Sequence, residues 1–119
     1  MSCVFCDIIA GQAPAEILCE WDDCIAIVPL GPVVEGSHVL IIPRQHVRDM
    51  LEDPVVTGLV AQRAAEFARD RGWVHGHFAY NLGEFGGQTV PHLHGHQLRA
   101  DEHTRHTMPW TGQKTGAEK

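Results

Sequence analysis

Short apolar runs divided by polar or turn residues mark the sequence on both sides of its centre. Residues 15–21 and 24–30 are two such runs separated by a pair of aspartates, a pattern typical of a hairpin of two strands. Residues 37–43 form a third run that ends at a proline. Residues 75–82 and 92–100 also have the character of strands, so the pattern predicts about five strands in all.

The centre of the sequence repeats its apolar residues at helical spacing. Asp53 suits an N-cap, Pro54 suits the first helical position, and Gly72 suits the end of the helix. The apolar residues of its predicted buried face are Val56, Leu59, Val60, Ala64, Phe67 and Ala68. Residues 3–11 predict a second, short helix. Because strands and helices do not alternate regularly, we expect an α+β domain with an antiparallel sheet, one long helix and one short helix.

Length and composition are those of a single domain. A chain of 119 residues, 44% of them apolar, is long enough for one packed core. We expect this domain to span residues 1–100. Residues 101–119 are polar and lack a period, so we expect a C-terminal tail that is partly disordered or packed on a second subunit, with an anchor at residues 108–110.

Charge and hydropathy exclude several classes of partner. The chain has 9 basic against 15 acidic residues and a net charge of -6, which disfavours binding to nucleic acid. No apolar run approaches the roughly 18 residues that a membrane span requires. The first residues lack the pattern of a signal peptide, so we expect a cytoplasmic protein.

Three histidines alternate near the end of the predicted domain, at His92, His94 and His96. On a strand, residues two apart share a face and lie about 6.5 to 7 Å apart. The outer pair would then be roughly 13 Å apart, which disfavours one metal ion bound by all three. The spacing suits an extended anion such as a chain of phosphates, because a neutral imidazole can attack phosphorus while its neighbours donate hydrogen bonds. The alternative is a set of ordinary strand histidines.

Two smaller clusters add candidate chemistry. A loop just before the histidines contains three glycines that would let backbone N–H groups approach an anion: Gly83, Gly86 and Gly87. Cys3 and Cys6 have the spacing of two ligands of one zinc ion, although two free thiols on a short helix would give the same pattern. Cys19 and Cys24 flank the predicted hairpin turn, so we expect them to be buried neighbours rather than ligands. The expected cytoplasmic location disfavours disulfides.

The loop and the histidines together carry a family resemblance. The stretch NLGEFGGQTVPHLHGHQL, residues 81–98, resembles the signature of the histidine triad (HIT) family. Residues 3–11 and 37–47 are further matches, so the resemblance covers roughly residues 3–99. It implies a HIT-like antiparallel sheet of about five strands with the two helices, and a nucleotide hydrolase or transferase.

The resemblance implies a role for each of four histidines. His94 matches the nucleophile, which attacks the α-phosphorus of a nucleotide and forms a nucleotidyl-histidine that water then cleaves. Its other ring nitrogen would be held by the main-chain carbonyl of His92. His96 matches the residue that donates to the phosphate and the leaving group. His38 matches a further histidine that supports the nucleophile.

The resemblance also implies a set of residues that hold the nucleotide. They are Asn81, Gly87, Gln88, Thr89 and His96. Two departures of the sequence from the family pattern concern residues at the site itself. Pro29 or Leu30 stands where family members often have an Asp that binds the ribose hydroxyls, which weakens the case for tight ribose recognition. Gly95 and Gln97 replace apolar residues, so we expect the outer face of the histidine strand to be more exposed or flexible.

For the cysteines, the resemblance implies a closed structural zinc site. Some HIT proteins complete it with two histidines, which gives the set Cys3, Cys6, His46 and His92. Such a site would join the first helix to the sheet. The chemistry itself would need no catalytic cofactor.

The sequence therefore favours an enzyme that cleaves a phosphoramidate-type bond, or another P–N or P–O bond, at the α-phosphate of a purine nucleotide conjugate. Three alternatives stay open: a dinucleoside polyphosphate hydrolase, a non-catalytic nucleotide-binding adaptor that acts through protein partners, and a metal-dependent hydrolase that uses two of the three histidines. The resemblance also implies a homodimer, with the long helix and a sheet edge as contact surfaces.

Overall fold

A computed structural model describes residues 3–31 and 34–111. In this part of the chain, five strands form one sheet in the order β1-β2-β3-β5-β4, and every neighbouring pair is antiparallel. The elements in chain order are α1 (Val4–Ile9), β1 (Ile17–Glu20), β2 (Cys24–Ile27), β3 (His38–Pro43), α2 (Pro54–Arg71), β4 (Gly76–Tyr80) and β5 (Gly95–Arg99). The predicted α+β architecture with one long and one short helix is confirmed.

The long helix α2 begins and ends where its sequence signals stand. The Asp53 carboxylate accepts a hydrogen bond from the Val55 N–H at 3.1 Å, and Pro54 occupies the first helical position. Gly72 ends the helix with a left-handed backbone at φ 71°, a conformation that favours glycine. The buried face consists of Val56, Val60, Ala64 and Phe67. The apolar spacing therefore directs one face of α2 onto the sheet.

The sheet has two different faces, set by alternate residues of its strands. Val39 and Ile41 of β3 pack on the side covered by α2, whereas Leu40 and Ile42 pack on the side covered by α1. His38 is two residues from Leu40, and His96 lies directly opposite Leu40 on β5. These histidines therefore project from the α1 face, away from the long helix.

The last strand differs from its prediction. The sequence pattern predicts a strand over residues 92–100, yet regular pairing begins at Gly95, so of the three alternating histidines only His96 lies on β5. The Leu93 N–H donates to the carbonyl of Val47 at 2.7 Å, a contact with the chain that follows β3 rather than with β3 itself. The residues before β5 are thus held by another partner and are not free to extend the strand.

The expected exposure of the outer face of β5 is wrong. Gly95 and Gln97 are both buried on the α2 face. A Cβ atom on Gly95 would lie 2.4 Å from two ring atoms of Phe78, so the glycine leaves the space that this ring fills. At this point of the core the apolar side chain is therefore that of Phe78 on β4, and not one from β5.

The chain after β5 turns back, and His106 contacts β5 again. The Asp101 carboxylate accepts hydrogen bonds from the N–H groups of His103 and Thr104, both at 2.8 Å, which fixes a turn. His106 is buried, whereas Trp110 in the expected anchor is exposed. Residues 112–119 of the predicted tail lie outside the described residues, so the domain boundary stays a prediction. Among the described helices, none is long and apolar enough to cross a membrane.

Candidate active site and metal site

His94 is held in one protonation form by a main-chain contact. Its Nδ1 lies 2.7 Å from the carbonyl oxygen of His92. A carbonyl can only accept, so Nδ1 carries the hydrogen, and the neutral ring then has a lone pair at Nε2. Burial lowers the pKa of His94, which favours this neutral ring. The arrangement leaves the free lone pair of the ring on Nε2.

His38 and His96 form a second imidazole contact beside His94. Their Nε2 and Nδ1 atoms lie 3.0 Å apart, and the two rings stack at 5.2 Å between centroids. The rings of His94 and His96 lie 5.1 Å apart. Register explains the contact: Leu40 of β3 opposes His96, so His38 is its diagonal neighbour on the same face.

The environment keeps His96 neutral and leaves one of its nitrogens without a partner. Burial, with smaller contributions from charge on His94 and His38, lowers the pKa of His96 to about 4. Its Nε2 is buried and makes no hydrogen bond to the residues that the structure describes. A buried polar atom without a partner costs free energy, so Nε2 is a candidate contact for a ligand. Burial is also the main cause of the lowered pKa of His38, and charges on His106 and His94 make smaller contributions.

The side chain of His92 points to a different group of residues. Four donor atoms, from Cys3, Cys6, His46 and His92, lie within 4.8 Å of one another. The His92 Nδ1 is 3.4 Å from the Cys3 sulfur and 3.0 Å from the His46 Nδ1, and the Cys6 sulfur is 3.2 Å from the His46 Nδ1. Zinc bonds of about 2.0 Å to nitrogen and 2.3 Å to sulfur in a tetrahedron place ligands about 3.3 to 3.8 Å apart. The cluster therefore fits a four-coordinate metal ion.

A second contact prepares His92 as a ligand. Its Nε2 lies 2.9 Å from the carbonyl oxygen of Pro43, so Nε2 carries the hydrogen and Nδ1 is free to bind a metal ion. At the other end of the cluster, the Cys3 sulfur is the N-cap of α1 and accepts from the Cys6 N–H at 3.3 Å. The four residues join α1, the end of β3 and the segment before β5, and together they form a possible metal site.

The glycine-rich loop is braced by its own polar side chains. Gly83 and Gly87 have φ values of 74° and 85°. Gln88 spans the loop: its Oε1 accepts from the Gly83 N–H at 3.3 Å, while its Nε2 donates to the carbonyl of Arg48 at 2.8 Å. The Asn81 amide donates to the carbonyl of Gly87 at 3.4 Å. Gln88 thus shapes the loop.

Several residues of the predicted nucleotide site stand apart from these contacts. Thr89 is exposed in the link between the loop and the histidines. Where the family often has an Asp, Pro29 is buried and Leu30 is exposed. These positions supply no carboxylate for a ribose.

Two residues at the site were missed by sequence reasoning. Phe5 packs edge-on against His92 and His94, with centroid distances of 5.8 and 5.0 Å. Only the helical spacing of the first segment predicts that Phe5 is buried, and nothing there indicates a histidine contact. His106 was assigned to a polar tail, yet it is buried, and charge on it affects His38.

Comparison with known proteins agrees with this geometry. An uncharacterized HIT-like protein of Mycobacterium tuberculosis is 40% identical over 103 residues, covering 82% of this chain and 71% of that protein. The adenosine 5'-monophosphoramidase of Candida albicans is 30% identical over 128 residues, covering 99% of this chain and 84% of that enzyme. A zinc-bound histidine triad family protein from Mycobacterium smegmatis superposes with a TM-score of 0.72 at 35% identity, covering 86% of this chain and 77% of that one.

The family follows from the extent of these matches. The HIT domain profile matches residues 10–103, which include the sheet, the long helix and all three alternating histidines. Since a single profile covers most of the chain, the protein belongs to the HIT domain family.

Proposed function

We propose that this protein is a nucleotide hydrolase or transferase acting at the α-phosphate of a purine nucleotide conjugate with a phosphoramidate-type bond. The observation that carries the proposal is the bond from His94 Nδ1–H to the carbonyl of His92, which leaves Nε2 as a buried neutral nucleophile. The named activity of the Candida albicans relative, an adenosine 5'-monophosphoramidase, supports the substrate class.

In the first step, the lone pair on His94 Nε2 forms a bond to the α-phosphorus while the bond from phosphorus to the leaving nitrogen breaks. We propose that the His38–His96 pair takes up one proton together with the anionic phosphate, so that His96 carries a hydrogen on both ring nitrogens and donates from Nδ1 to His38 Nε2. The hydrogen on His96 Nε2 goes to the leaving nitrogen, so an amine departs and His96 becomes a neutral imidazole. The positive charge on the modified His94 ring, 5.1 Å from the His96 ring, favours this loss of a proton.

In the second step, water attacks the phosphorus and the bond to His94 breaks. The proton of the water returns to His96 Nε2, which restores both histidines. We propose that Asn81, Gly87, Gln88 and Thr89 bind the sugar and phosphate, with Gln88 acting through the shape of the loop. This cycle uses only the chain's own residues.

The test is release of adenosine monophosphate from an adenosine phosphoramidate. We expect His94→Ala to abolish turnover, and a control at an exposed histidine, His103→Ala, to leave it unchanged. A covalent nucleotide on the protein after a rapid alkaline quench, present in the wild type and absent in His94→Ala, would support the intermediate. Firm nucleotide binding without turnover by the wild type would instead favour an adaptor.

We also propose that Cys3, Cys6, His46 and His92 hold a structural zinc ion, because their donor atoms all lie within 4.8 Å of one another and thiolate with imidazole is a donor set that zinc prefers. Bound zinc would supply a closed set of bonds that joins α1 to the sheet. Metal analysis should give one zinc per chain in the wild type and in Cys19→Ser, and much less in Cys6→Ser. Wild-type protein that contains no stoichiometric metal would contradict the assignment.

A homodimer is a further proposal. β4 is an edge strand, and beside it a cavity of about 310 Å³ is lined by small residues of α2 and by Trp73 and Val74. A partner copy could cover both features with one surface. Light scattering should give about twice the chain mass of 13.2 kDa, and a monomer would refute the proposal.

A further inference from the structure

His106 is an unusual residue in its segment. His103, Arg105 and Thr107, in the same stretch after β5, are exposed, whereas His106 is only 8% exposed. A buried histidine needs partners for its ring nitrogens. The contacts of His106 lead back to the start of β3.

A short series of hydrogen bonds joins His106 to the residue before His38. The His106 Nε2 lies 2.8 Å from the carbonyl oxygen of Arg99, so it donates to that carbonyl. The Arg99 N–H donates to the carbonyl of Ser37, also at 2.8 Å. In an antiparallel strand, the N–H and C=O of one residue point to the same side. The carbonyl of Arg99 therefore points toward β3, and the His106 side chain bonds to it beside Ser37, the residue that precedes β3.

Two further observations place His106 over the same corner of the sheet. Its ring lies edge-on to His77 of β4, with 6.2 Å between centroids. His77 and His38 both oppose Leu98, from the two strands on either side of β5, and so share its face. Charge on His106 also contributes to the lowered pKa of His38.

We propose that His106 is a positioning residue for the reaction: bonded to Arg99, it holds the start of β3 so that the His38 ring stays against His96. This inference rests on the proposed function, because it assumes that the His38–His96 contact serves catalysis. A loose His38 would leave the hydrogen on His96 Nε2 poorly directed at the leaving group. A small misplacement of such a group can reduce the rate by as much as about a hundredfold.

The rival explanation is that His106 only anchors the chain after β5. Both explanations predict a lower melting temperature for His106→Ala. They differ in kinetics and spectroscopy, because an anchor that does not reach the site leaves kcat and the His38–His96 hydrogen bond unchanged. His106→Gln keeps a side-chain N–H donor, and His103→Ala is the matched control in the same segment.

We expect His106→Ala to lower kcat at least about tenfold, with KM changed by less than about twofold. His106→Gln should recover part of the loss, and His103→Ala should match the wild type. The nitrogen-15 NMR spectrum of the imidazoles should show a protected N–H from the His38–His96 contact in the wild type and in His103→Ala. That signal should be lost or exchange faster in His106→Ala.

Wild-type kcat in a folded His106→Ala or His106→Gln protein, together with an unchanged imidazole N–H signal, would overturn the proposal. The NMR measurement needs no substrate, so it distinguishes two failures. A wild type without turnover refutes the proposed function, whereas an N–H signal insensitive to His106 refutes the positioning role. If His106→Ala does not fold, kcat and the imidazole N–H signal are both measured on His106→Gln instead.

Discussion

Gly95 separates the two histidines that we assign to the chemistry, and a methyl group there has no room. A Cβ atom would lie 2.4 Å from two ring atoms of Phe78 and 3.4 Å from the Tyr80 ring. Gly95 is not among the glycines with positive φ, so alanine brings no backbone strain and the effect is purely steric. Gly95→Ala is therefore a direct test of how tightly the α2 face packs against β5.

The magnitude follows from what has to move. Phe78 and Tyr80 pack edge-on with 5.1 Å between centroids, and both contact the core beneath α2, so the Phe78 ring cannot shift alone. Overpacking of this kind costs about 1 to 3 kcal/mol. In a domain of this size, that lowers the melting temperature by roughly 4 to 15 °C. Because His94 and His96 flank the position, kcat should fall as well.

Urea unfolding measures the stability of Gly95→Ala, Phe78→Leu and the double variant. The smaller Leu should relieve the clash, so the double variant should be more stable than the sum of the single changes implies. Gly58→Ala is the control: a Cβ there meets nothing within 4 Å, and alanine in a helix should stabilise by up to about 1 kcal/mol. A loss below about 0.5 kcal/mol in Gly95→Ala, with additive double-variant energies, would refute the packing argument.

Three more predictions concern stability. The pKa of His96 is lowered to about 4 in the folded state, so as the pH falls the unfolded chain binds a proton at this residue before the folded protein does. His96 should therefore reduce the free energy of unfolding by up to about 3 kcal/mol between about pH 6.5 and 4. Urea titrations at several pH values should show a weaker dependence of this free energy on pH in His96→Gln than in the wild type. A zinc chelator should lower the melting temperature by at least about 5 °C, while the initial rate of turnover falls less than twofold. A large fall in the initial rate at a temperature where the protein is still folded would contradict a purely structural metal. Asp53→Ala removes the N-cap of α2 and should cost about 1 kcal/mol in urea unfolding, so an unchanged midpoint would exclude the cap.

Local pattern was sufficient for most of the elements. Asp53, Pro54 and Gly72 set the limits of α2 because capping depends on neighbouring residues only. The four residues of the possible metal site were predicted from family resemblance. Sequence spacing alone does not show that they lie close together, because the packing of α1 on the sheet brings Cys6 and His46 into contact.

The errors lie where a distant partner decides the structure. Alternation predicts a strand through His92, but the bond between Leu93 and Val47 and the contacts of the His92 side chain with Cys3 and His46 hold that segment away from the strand. Gly95 predicts an exposed or flexible face when it is considered alone, but the Phe78 ring fills the space that the glycine leaves. His106 stood in a polar, aperiodic stretch, and its bond to Arg99 exists only once β5 has formed.

His92 explains how two sites can share one short motif. Its Nδ1 faces the cysteines and His46, its Nε2 is bonded to Pro43, and its main-chain oxygen accepts from His94. In our proposal, the side chain serves the metal site and the backbone carbonyl serves the nucleophile. Alternation of the histidines then brings two adjacent functions together rather than three equivalent ligands. The His92 carbonyl keeps the His94 hydrogen on Nδ1, so His92 takes part in the proposed chemistry through its backbone and not through its side chain.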